Sequence, residues 1–212
     1  MLEALAPVLD TLVLQQEDLS PLPGHFEPCE GGDPYGLQFG SQGDSPDVED
    51  IQVVRSYDAP VSYSSFCDAD SGAFVSSTVA LPYDKEHLEF MSAVALGLAR
   101  GDEEDALREL VNASSDDLNS QSHEEVVDYR WVRAPTIGDW RYAWATTVDS
   151  PYTDQLVEIY HFKLVRDILL GGVLVEVPSH ATAEEEALAV AQAFDNRIAA
   201  QLESLAAEVQ AQ

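Results

Sequence analysis

Between residues 124 and 178 the apolar positions recur at every second place; beyond residue 182 they recur at every third or fourth. The first spacing is that of half-buried strands and the second that of an amphipathic helix. The strand pattern predicts a β meander with strands near 125–133, 140–148, 156–170 and 173–178. Its turns fall at "APTIG", at "DSPYTD" and at Gly171–Gly172, a favoured hairpin dipeptide. The segment 156–170 is apolar on both faces. Leu156, Tyr160, Phe162 and Leu164 share one face, and Val157, Ile159 and Val165 share the other. Such a strand belongs at the centre of a sheet covered on both sides. The segment 182–210 predicts one long helix. Ala187, Ala191, Phe194, Ile198, Leu202, Leu205 and Val209 form its apolar stripe, and Thr182 with Glu185 fits a capping box.

Upstream the pattern is more broken. Residues 1–20 predict a short helix or extended arm, stopped by Pro21, Pro23 and Gly24. Residues 27–50 are rich in Gly, Pro, Asp and Ser and predict a loop with one strand at 35–40. Strands are expected at 50–58 and 73–81. Leu88, Met91, Ala95 and Leu98 then define a helix over 84–101, with Asp84 as N-cap and Gly101 at its end. A second helix over 103–114 and a polar linker over 114–122 follow. The expected fold is α+β: an antiparallel sheet, including the C-terminal meander, packed by two central helices and a long C-terminal helix. The expected organisation is one domain over 1–212.

Charge narrows the partners. The chain has 39 Asp and Glu against 10 Lys and Arg, a net charge of −29. Lysine occurs at Lys85 and Lys163 alone. A surface of this sign repels nucleic acid and anionic lipid. Cationic peptides, metal ions and polyamines remain compatible with it. The acids are spread along the chain, which reads as a solvated surface or as adaptation to high salt. No apolar run is long enough to span a membrane. The first twenty residues lack the basic start of a signal peptide. A chain whose leader has been removed would look the same.

Motif chemistry is sparse. Nucleophile-elbow, phosphate-loop, dinucleotide and zinc-protease signatures are absent from the sequence. "DADSG", residues 68–72, begins like a calcium loop, but Gly72 comes one place early and the twelfth position lacks Glu. A non-EF cation site from Asp68 and Asp70 is the minor reading and a solvated acidic turn the major one. Cys29 and Cys67 would close a loop of about 39 residues if paired; two free thiols are the alternative. His161 is expected on the strand face of Val157 and Ile159, as a structural residue or, in the minority reading, a catalytic base. Glu158 and Glu176 interrupt apolar strands, so each faces solvent or meets a cation, with Arg141 or Arg166 as candidates.

"YRWVRAPTIGDWRYAW", residues 129–144, gathers all three tryptophans and three of the arginines. Cross-strand aromatics are ordinary sheet stabilisers. The functional reading is an aromatic and cationic platform of Trp131, Arg133, Trp140, Arg141 and Trp144. It could hold an apolar or anionic ligand by stacking and bidentate contact. No cofactor is implied.

Three further stretches carry a resemblance. "LQQEDLSPLPGHF", "PTIGDWRYAW" and "GGVLVEV" followed by an alanine-rich helix resemble, in order, the opening, the central turn and the end of PsbP/Mog1-like domains. These are similar to actinobacterial lipoproteins and to extracellular sensor domains of mycobacterial Ser/Thr kinases. Trp140 departs from the family, standing where a small polar residue is usual, and so does the acidity. The resemblance implies an antiparallel sheet packed by helices. It also implies a secreted or lipid-anchored protein whose leader has been lost, and binding or sensing of a protein or small-molecule ligand without catalysis. It favours a Cys29–Cys67 disulfide. A carboxylate- or histidine-dependent hydrolase and an acidic cytosolic interaction module of a salt-adapted cell are the alternatives.

Overall fold

The computed structural model describes residues 9–29, 61–81, 125–134, 137–149, 155–167 and 169–210. These form an α+β fold. Seven antiparallel strands make one sheet: β1 Glu27–Pro28, β2 Val61–Cys67, β3 Phe74–Ala80, β4 Glu125–Trp131, β5 Trp140–Asp149, β6 Leu156–Arg166 and β7 Leu169–Pro178. Their order is β1-β2-β3-β7-β6-β5-β4. A helical turn, Leu9–Leu12, and a 3₁₀ turn, Gln16–Leu19, precede the sheet; a helix of 28 residues, Ala183–Gln210, follows it. The expected strand at 35–40, the strand at 50–58 and the helices at 84–101 and 103–114 lie outside the described residues.

The meander forms because its apolar residues alternate. Ala143 and Ala145 of β5, Tyr160, Phe162 and Leu164 of β6, and Val173, Val175 and Val177 of β7 face one way. The C-terminal helix lies on this face and buries Ala187, Val190, Ala191, Phe194 and Ile198 against it. The N-terminal turns close the same core with Leu12, Leu14, Leu19 and Phe26. Three polar ties fix these turns and the helix. Arg197 of the helix binds Asp18 and Glu17, each at 2.7 Å. The backbone N–H of Leu14 donates to Ser77 Oγ at 2.8 Å. Arg166 meets Asp195, itself buried, through two bonds of 2.6 Å. The opposite face is buried as well at Trp144, Thr146, Val148, Val157 and Ile159. β6 is thus apolar on both sides because both sides are covered.

Three expectations need correction. Gly171 and Gly172 lie inside β7 and are not a turn; the reversal comes at Asp167, in a left-handed conformation of φ 52°. Their glycine character answers to close approach. A Cβ on Gly171 would stand 2.8 Å from Phe194 Cε1, and one on Gly172 would stand 2.8 Å from Thr78 Oγ1. At the helix start, Thr182 Oγ1 donates to Glu186 at 2.6 Å, one residue beyond the expected Glu185. Finally, β2 was not expected. Its "VSYSSFC" alternates, but serine dilutes the apolar signal.

Candidate functional site

The stretch 129–144 folds as β4, a connection and β5. Trp131 stands opposite Trp144, and Trp144 stands opposite His161 of β6. Cross-strand neighbours on one face approach closely enough for rings to stack. Trp144 and His161 do so, with centroids 4.4 Å apart and planes within 2°. Trp144 is only 3% exposed and packs with Tyr129, Trp131 and Val126, which are partly buried. Burial, aided by the Lys163 charge, pushes His161 down to about 3. It is therefore a neutral ring in a packed stack near neutral pH.

Arg141 does not join these rings. Arg141 stands opposite Leu164, and its guanidinium donates to the carbonyls of Ala134 and Ile137. It closes the connection between β4 and β5. Arg133 is exposed beyond the end of β4. Trp140 stands opposite Val165 in the ladder. Of the five candidates, Trp131 and Trp144 meet, and Arg133 is the exposed cation beside them in sequence.

A polar cluster that the sequence did not single out lies on the helix face. Arg130 stands opposite Ala145, whose partner across the next ladder is Tyr160. The small side chain of Ala145 lets the long Arg130 reach across β5. Its Nη2 lies 3.2 Å from Glu158 Oε2, 3.3 Å from Tyr160 Oη and 3.2 Å from Glu184 Oε2 on the helix. The Tyr160 hydroxyl donates to Glu158, and Ser179 donates to its other oxygen at 2.9 Å. Burial alone would raise the Glu158 carboxyl, but these donors and Arg130 hold it below the usual carboxylate range. Burial and the Glu158 charge raise Tyr160. The expected partners of Glu158, Arg141 and Arg166, are displaced because register puts them too far away. Arg141 is opposite Leu164, roughly 20 Å along β6 from Glu158 at a strand rise of about 3.4 Å per residue. Glu176 is buried on β7 between Phe74 and Ile159.

Asp68 is buried in the β2–β3 turn. It accepts from Ser71 Oγ at 2.6 Å and from the Asp70 amide at 3.3 Å. The Ser71 bond is the main cause that holds its carboxyl low. Asp70 is exposed. Among the described residues no three metal-ligating side chains converge. Cys29 and Cys67 form a disulfide, with Cα atoms 5.1 Å apart, that fastens β1 to β2.

No family model matches the chain, and no curated protein matches it. The PsbP/Mog1-like resemblance therefore rests on its three short motifs. Among solved structures, the extracellular domain of PknH from Mycobacterium tuberculosis aligns over 90% of this chain and 96% of its own. The identity is 12% and the TM-score 0.43. At that distance the likeness bears on neither function nor site.

Proposed function

We propose that the chain is a non-catalytic domain that works outside the cytoplasm and binds a protein or small-molecule ligand. The observation that carries this reading is the Cys29–Cys67 bond, which uses both cysteines of the chain. Disulfides persist in oxidising compartments and are reduced in most cytosols. A secreted or lipid-anchored protein of the PsbP/Mog1-like kind fits that chemistry. The histidine-dependent form of the hydrolase alternative loses support. His161 is stacked, buried and held near pH 3, so it takes up little proton near neutrality. The ligand surface on this reading is the outer end of β4, where half-buried Trp131 precedes exposed Arg133. The net charge of −29 weighs against an anionic polymer as partner.

The test is alkylation of thiols at the moment the producing cells are lysed, followed by mass measurement of the intact chain. The expected result is a chain with neither cysteine alkylated. Two alkylated cysteines would overturn the reading and favour the acidic cytosolic module.

A further inference from the structure

The segment between β7 and the C-terminal helix carries a histidine whose two ring nitrogens both face oxygen acceptors. His180 Nδ1 lies 2.6 Å from the Pro178 carbonyl oxygen, and Nε2 lies 2.9 Å from Glu186 Oε2. A carbonyl has no proton to give, so Nδ1 donates. Glu186 already receives the Thr182 hydroxyl on its other oxygen, at 2.6 Å. Burial alone would raise the Glu186 carboxyl, yet the donors Thr182 and His180 hold it below the usual range. It is a carboxylate, and Nε2 donates to it. With both bonds made, both nitrogens carry hydrogen, and the ring is then an imidazolium.

We infer that His180 is a pH-sensitive latch that, doubly protonated, clamps the first turn of the C-terminal helix onto the end of β7. One arm holds the strand at Pro178 and the other holds the helix at Glu186. The charges around it come from three directions. Glu186 belongs to the helix itself. Glu158, on β6, attracts the ring. Glu158 is in turn joined to Arg130 of β4, which also holds Glu184 of the helix. β7 contributes the uncharged Pro178 carbonyl. This surrounding favours the charged ring, and the Pro178 bond, then Glu186, raises His180 above its ordinary 6.5.

Loss of one proton leaves one of the two acceptors without a donor. The sign follows from a raised midpoint. The latch contributes fully below the unfolded value near 6.5 and is lost as pH rises through the higher folded value. Opening would loosen residues 180–186, leaving Arg130–Glu184 as their other polar hold, while Ser179 stays bonded to Glu158 and the rest of the helix stays anchored through Arg166–Asp195 and Arg197–Asp18.

Nitrogen-detected NMR of the intact protein reads the ring directly. At pH 6.5 both His180 nitrogens should be protonated, with a titration midpoint above 6.5. A neutral tautomer at pH 6.5, or a lower midpoint, would overturn the inference. Amide exchange, corrected for intrinsic rates, gives a second reading. Between pH 6 and 8.5 the protection of the Glu186 and Ala187 amides, the first to bond back into the helix, should fall about tenfold, the scale of one charge-assisted bond. In His180→Ala that protection should be low and flat across the range. Identical pH profiles in the two proteins would sink the latch, and the wild-type titration decides the matter even if the variant does not fold.

Discussion

Arg130 brings two carboxylates and a phenol to one guanidinium, and it does so across two strand ladders. Its centre lies 5.7 Å from the Tyr160 ring centroid, within cation–π range. The side chain is 37% exposed while Glu158 is 14% exposed, so the carboxylate suffers more from losing the pair. Arg130→Ala should cost about 1–3 kcal/mol, the penalty of a half-buried acid left short of donors and discounted for solvent. Arg133→Ala, at an exposed position, should stay within about 0.5 kcal/mol. Urea unfolding of the two variants checks both figures; equal effects would mean that Arg130 does not organise the cluster. The sequence showed that Glu158 breaks an apolar strand and needs an explanation. It could not show which cation answers, because that depends on register through Ala145. His161 was legible as a structural residue on the face of Val157 and Ile159, since alternation alone assigns the face. Its stack with Trp144 again needed the register.

At the scale of elements, the long helix and the four strands of the meander were readable because each keeps a single period over seven residues or more. β6 was readable as central because both of its faces are apolar. β2 escaped because serine fills positions where an apolar residue would have marked the alternation. Gly171–Gly172 misled for a physical reason. A glycine pair signals either a backbone turn or a surface that something approaches closely, and the composition is the same in both cases. Here Phe194 and Leu164 approach one glycine, and Thr78 and Lys163 approach the other. Gly171→Ala should therefore destabilise the protein by about 1–3 kcal/mol through overpacking. Combining it with Phe194→Ala should cost less than the sum of the two changes. Strict additivity in thermal melts would show that the helix does not press on this strand.

For the whole molecule, the charge of −29 dominates behaviour in solution. With 39 acids against 10 Lys and Arg, like-charge repulsion exceeds attraction overall. Salt screens both, with a Debye length of about 10 Å at 0.1 M and 3 Å at 1 M. The melting temperature should rise as sodium chloride goes from 10 mM to 1 M; a fall would mean that the Arg130, Arg166 and Arg197 pairs outweigh the general repulsion. The order of the strands has a different consequence. β3 finds its neighbour in β7, roughly a hundred residues later in the chain, a pairing that costs loop entropy before it gives contacts. A ribosome that has released β1 to β3 has made strands whose sheet has no centre yet. The sheet closes only after Pro178 has emerged, so β1 to β3 wait through roughly a hundred further residues before their neighbour exists.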